Sequence, residues 1–165
     1  MTVEDPSLCL TILSPCYRDE NNIEELCRRL TSVCQGLGVQ YEILLVDDGS
    51  PDGTWEKILC IARLDAHIGG IKLSRNFGHQ IAVTAGLSKA RGNRVLIIDS
   101  DLQDPPELLP QMMKLMDGGA DNVYGRRQRG QALPIAIANF LTSFLMSGRP
   151  AAAEQYRQTR PGSPM

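Results

Sequence analysis

Glu42-Ile43-Leu44-Leu45-Val46-Asp47-Asp48-Gly49-Ser50-Pro51-Asp52-Gly53 is the stretch that decides the fold. Its unbroken apolar run after Glu42 reads as a strand buried on both faces, the signature of a parallel sheet. The Asp, Gly, Ser and Pro residues that follow are turn formers. Beyond them Trp55, Ile58, Leu59 and Ala62 recur at helical spacing, so the unit is strand, turn, helix. Working outward, the same unit repeats. Residues 8–13 form a strand candidate ending at Ser14-Pro15. A helix follows from Asn22, opened by an Asn22-x-x-Glu25 box, with Ile23, Leu26, Cys27, Leu30 and Cys34 on one face. Residues 71–73 and 95–98 read as strands flanking a helix over 79–90. Pro105-Pro106 opens a last helix with the stripe Leu108, Leu109, Met112, Met113 and Met116, and residues 122–124 read as one more strand. Strands alternating with helices imply an α/β fold, a Rossmann-like and mostly parallel sheet with helices on both faces.

The 165 residues, 42% hydrophobic and 22% charged, suit one ordinary globular core. A net charge of -2 gives no basic footprint, so nucleic acid is not an expected partner. Cys9, Cys16, Cys27, Cys34 and Cys60 lack metal-ligand spacing and fall mostly on apolar faces, which indicates reduced, core-filling thiols. The acidic N-terminus has no basic and apolar leader pattern, and no apolar run reaches membrane-span length. A cytoplasmic protein is expected.

Ligands of open α/β sheets bind beyond the carboxyl ends of the strands. That rule selects Pro15-Cys16-Tyr17, Asp47-Asp48-Gly49-Ser50 and Asp99-Ser100-Asp101 along one rim. Carboxylates two residues apart at a strand end can hold a hard divalent cation such as Mg2+ or Mn2+, but a short acidic loop also caps helices or sits in solvent. Asp47-Asp48 can accept hydrogen bonds from a nucleobase or simply make a turn, and Tyr17 can stack on a base or cover the sheet edge. His79 caps a helix or meets substrate. A receiver domain is excluded because the acidic pairs follow the second and fourth strands, and a dinucleotide site because no Gly-x-Gly-x-x-Gly follows the first.

Taken together and in order, these segments resemble family 2 glycosyltransferases. Pro15-Cys16-Tyr17-Arg18-Asp19-Glu20-Asn21-Asn22-Ile23 is similar to the opening motif of that family, and 42–54 to its Asp-Asp-Gly-Ser segment. Lys72-Leu73-Ser74-Arg75-Asn76-Phe77-Gly78-His79-Gln80 and Asp99-Ser100-Asp101-Leu102-Gln103-Asp104-Pro105-Pro106-Glu107 resemble the bacterial undecaprenyl-phosphate branch, with dolichol-phosphate mannose synthases as cousins. The resemblance implies a GT-A fold and inverting transfer of a sugar from a nucleotide diphosphate, UDP by preference, to a polyprenyl-phosphate lipid. It implies that Pro15, Tyr17 and Asp19 line the nucleoside pocket, with Val46 and Asp48 holding the base. Asp99, Ser100 and Asp101 face ribose and diphosphate, Asp101 and Gln103 ligate the metal, and Arg127 meets phosphate. Asp19 stands where the family usually has Glu, and Ser100 where Ala is commoner. No general base is named, because the acceptor oxygen of a lipid phosphate is already an anion.

The resemblance runs from about residue 8 to 127, so 1–130 read as the nucleotide-sugar-binding domain. Residues 131–165 read as a divergent apolar segment and a disordered tail, poor matches to the family's acceptor-binding half. Within them 132–146, preceded by Arg126, Arg127 and Arg129, has the make-up of an interfacial helix on an anionic membrane surface. The expected place is the cytoplasmic face of the plasma membrane. The alternative is a catalytically incomplete chain that binds nucleotide sugar or acts as an interaction partner.

Overall fold

A computed structural model describes residues 9–125 and, as backbone, 144–148. Arg126, Arg127, Arg129 and the rest of 126–143 lie outside the described residues, as do 1–8 and 149–165. The described chain runs β1 (Leu10–Cys16), α1 (Ile23–Leu37), β2 (Tyr41–Asp47), α2 (Thr54–Leu64), β3 (Ile68–Lys72), α3 (His79–Leu87) and β4 (Arg94–Ile98). A single 3-10 turn (Pro106–Leu108) then leads into α4 (Leu109–Asp117), β5 (Asn122–Tyr124) and β6 (Phe144–Gly148).

The strands form one sheet in the order β3-β2-β1-β4-β6-β5. β1 runs parallel to both β2 and β4, and β2 parallel to β3, while β6 is antiparallel to β4 and β5. Alternation divides the inner strands between two faces. Leu10, Ile12, Ile43, Leu45, Leu96 and Ile98 join α1, Ile58 of α2 and the Met112-Met113-Met116 stripe of α4 in the larger core. Leu13, Val46 and Val95 point the other way and pack beneath Ala82 of α3.

β1 continues through Pro15 to Cys16, three residues further than the sequence suggests. Its ladder with β4 ends at Leu13, so Pro15 lies where β1 pairs only with β2 and its missing N–H is tolerated. Three other expectations are corrected. Leu59 of α2 is exposed; Ile58 is the fully buried hydrophobic residue there, and Ile61 packs partly against the core. The Asn22 side chain makes no capping bond to α1, and Glu25 instead pairs with Arg28 at 2.7 Å. Phe144, Leu145 and Met146, placed by their composition in an interfacial helix, belong to β6, and Ser147 and Gly148, placed in a disordered tail, complete that strand.

At the amino end of the sheet, buried Glu42 is satisfied by Thr11 Oγ1 (2.7 Å), Arg91 N–H (2.8 Å) and Arg91 Nε (2.8 Å). That network fixes the α3-to-β4 connection. The carboxyl end is left for ligand chemistry.

Candidate functional site

The carboxyl ends of β1, β2 and β4 and the start of α3 enclose a cavity of about 310 Å³. Pro15, Tyr17, Asp19, Asp48, Asp99, Ser100 and Asp101 line it, as the sequence led one to expect. Val46 does not: its side chain is fully buried beneath α3, since a strand residue two places before the rim points into the core. Gln103 is not on the wall either; its backbone N–H donates to Asp101 Oδ1 at 2.9 Å, within the turn made by Leu102 at φ 61°. Arg127 lies outside the described residues. Cys16, Asn76, Gly78, His79 and Ala82 complete the lining. Residue type alone left His79 open between a helix cap and a substrate contact and gave no role to Asn76, Gly78 or Ala82, although Asn76, Gly78 and His79 sit in one of the matching motifs.

Hydrogen bonds between loops hold the rim. Asp19 Oδ2 accepts from Tyr17 N–H at 2.8 Å and from the Ser100 hydroxyl at 2.6 Å, tying the β1 loop to the end of β4. The two positions that depart from the usual family pattern are therefore bonded to each other. The shorter carboxylate is held by a hydroxyl that alanine would lack. Asp19 N–H donates to Thr54 Oγ1 (2.9 Å), and Arg18 N–H to Ser50 Oγ (3.1 Å). Asp47 Oδ1 accepts from Ser50 N–H at 3.0 Å. Asp48, 3% exposed, accepts from Phe77 N–H and Gly78 N–H, both at 2.8 Å, one on each carboxylate oxygen. Gly49 must be glycine: its φ is 65°, and a Cβ there would lie 2.4 Å from the carbonyl carbon of Arg75.

Asp99 is different. Its Oδ1 is buried without a hydrogen-bond partner, and His79 Nδ1 stands 3.9 Å away. Burial pushes its carboxyl pKa up, with Asp101, Asp104 and Asp19 adding repulsion that His79 only partly offsets. Such a group gains from a cation. Among the described residues no three His, Cys, Asp or Glu side chains gather into a metal cage. A cation shared with substrate phosphates needs fewer protein oxygens. Asp99 and Asp101, both on the cavity wall, fit that kind of site. The Cys16 thiol, by contrast, is driven further from ionisation by burial and then by Asp19. It fills space. Arg18 lies 5.3 Å from the Tyr17 ring centre and Arg75 4.0 Å from that of Phe77, so exposed aromatic and cationic groups stand together on these loops.

Residues 11–140 match the model of the glycosyl transferase family 2. The chain belongs to that family. As a family 2 member it is 42% identical over 131 residues to an uncharacterised glycosyltransferase of Synechocystis sp., covering 79% of this chain and 40% of that one. The mannosyltransferase PcManGT of Pyrobaculum calidifontis, solved with GDP-Man and Mn2+, superposes with TM-score 0.70 at 21% identity over 88% of this chain and 46% of its own. S. aureus TarS in complex with UDP-GlcNAc gives TM-score 0.59 at 25% identity over 77% and 37%. These likenesses confirm the GT-A architecture of the family 2 domain. The chain spans less than half the length of each of these three relatives.

Proposed function

We propose that the cavity binds the nucleotide diphosphate of a sugar donor, UDP by preference, for inverting transfer to a polyprenyl-phosphate lipid. The observation that carries the reading is the Asp99 Oδ1 that accepts no hydrogen bond, beside Asp101 on the wall and 3.9 Å from His79 Nδ1, a charge suited to a cation and its phosphates. Tyr17 offers a face for a base, and Asp19 and Ser100 brace the ribose end. Asp101 with Asp99 would hold the Mg2+ or Mn2+, which when bound neutralises the diphosphate as it leaves. Gln103 keeps a supporting part through its bond to Asp101, and Arg127 is proposed as a phosphate contact on the motif alone. In the reaction an anionic acceptor oxygen bonds to the anomeric carbon from the face opposite the diphosphate. The bond to the β-phosphate oxygen breaks and its electron pair leaves with UDP. An acceptor that is already an anion needs no proton removed.

Two measurements test this. Calorimetry should show Mn2+ tightening UDP binding about tenfold, a difference of about 1.4 kcal/mol. Asp101→Asn should abolish the gain; equal affinity with Mn2+ and with EDTA would remove the metal from the reading. Sugar transfer to polyprenyl phosphate in membranes, a reaction set at the cytoplasmic face of the plasma membrane, tests the acceptor half separately. Because the chain spans 40% of the Synechocystis relative, donor binding without transfer is the second reading, and robust transfer by this chain alone would dismiss it.

A further inference from the structure

Resting on that reading of the cavity, we propose that Ser100 is a positioning residue. Its hydroxyl sets the Asp19 carboxylate for the ribose hydroxyls of the donor, so that the short acid and the hydroxyl work only as a pair. The main chain of Asp19 is already pinned on both sides. Its N–H donates to Thr54 Oγ1 at 2.9 Å, and its carbonyl accepts from Asn22 N–H at 2.8 Å and Ile23 N–H at 3.2 Å. Only the side-chain torsions remain to be fixed. Oδ2 accepts from Tyr17 N–H at 2.8 Å and from the Ser100 hydroxyl at 2.6 Å, and two donors on one oxygen settle how the carboxylate lies. Oδ1 receives a long bond from Asn22 Nδ2 at 3.4 Å. It keeps acceptor capacity for a ligand hydroxyl, on a residue that lines the cavity. Ser100 is 5% exposed, and its hydroxyl has one proton to give. Pro15 O stands 3.1 Å from its Oγ, but the carboxylate is both nearer and charged, so the stronger bond goes to Asp19. The contact at 2.6 Å also leaves no room for a longer acid. Asp19→Glu would carry the carboxylate one methylene further, into the hydroxyl, unless Ser100→Ala removed that oxygen.

The test is calorimetry with UDP and with its dideoxy analogue, which lacks both ribose hydroxyls. The proteins are the wild type, Ser100→Ala, Asp19→Glu and the double variant. Ser100→Ala should lose about tenfold for UDP and little for the dideoxy analogue. Asp19→Glu alone should also bind UDP more weakly, whereas the double variant should return to within about threefold of the wild type. A hydroxyl that merely supported the loop would cost both ligands equally, and equal losses overturn the proposal. So does wild-type UDP affinity in Ser100→Ala, equal affinity of the wild type for the two ligands, or a double variant whose loss is the sum of the single ones. If Ser100→Ala does not fold, recovery from Asp19→Glu to the double variant still decides the question. If the wild type binds neither ligand, the reading of the cavity fails. Urea unfolding of the same proteins then still reads the pair, since bonded partners give non-additive losses and additive ones overturn it.

Discussion

Asp47 and Asp48 leave β2 much as Asp99 and Asp101 leave β4, at the carboxyl ends of parallel strands on one rim. Asp47 and Asp48 are almost inaccessible and give carboxylate oxygens to the backbone amides of Ser50, Phe77 and Gly78. Asp99 is half-buried with an oxygen that has no hydrogen-bond partner, and Asp101 is exposed on the wall. The first pair stabilises the scaffold; the second costs the apo protein something that His79 only partly offsets. Residue type and strand-end position do not distinguish them. What does is that Asp48 receives two N–H donors from a loop distant in sequence, whereas Asp99 Oδ1 receives none.

The largest effect should come from forcing the β2 side apart. Gly49→Ala places a methyl into the Arg75 backbone at a left-handed residue, so unfolding free energy should fall by about 2–4 kcal/mol in urea titrations. A loss under about 0.5 kcal/mol would mean that this contact does not order the rim. The β4 side should respond in the opposite sense. Asp99→Asn removes a repelled, partly desolvated charge while keeping its shape, so stability of the apo protein should rise by about 0.5–2 kcal/mol as cation-assisted nucleotide binding weakens. Destabilisation without any loss of binding would erase the contrast between the pairs.

The smallest effect lies away from the rim and serves as a control. Arg29 holds the Glu107 carboxyl below its ordinary value near 4.5. A lowered carboxyl contributes stability that is present above that value and lost as pH falls through the folded one. Glu107 is exposed and Arg29 partly so, and Glu107→Gln should cost at most about 1 kcal/mol at neutral pH. The difference from wild type in thermal melting should vanish on acidification, whereas a gap that persists below pH 3 would point to packing.

Much of the fold was legible because parallel strands covered on both sides need continuous apolar runs. Glu42 to Asp47 carries that demand in its composition, as does the Met stripe of α4. The cavity lining followed from the strand-end rule and from the motifs together. The misreadings have separate causes. Pro15 marks the end of a strand only if every N–H is needed, and β4 has already parted from β1 there. Leu59 satisfies helical periodicity, but α2 presents Ile58 and Ile61 to the core instead. Val46 belongs to a rim motif by sequence and to the core by alternation. β6 gave little sign of itself: its residues form a short apolar run whose partners are β4 and β5, both far earlier in the chain.

That last strand also sets an order of assembly. The four strands β3-β2-β1-β4 pair in parallel and are all contained within residues 10–98. β5 precedes β6 in the chain but lies outside it in the sheet, so β5 has no ladder to join until β6 is seated against β4. On a ribosome, where amino-terminal segments emerge first, β4 therefore waits as a bare edge while the next fifty residues are synthesised. An unpaired edge in that interval is a template for the wrong strand. The antiparallel return of β6 is thus a closing step, and the hazard of misassembly is greatest just before it.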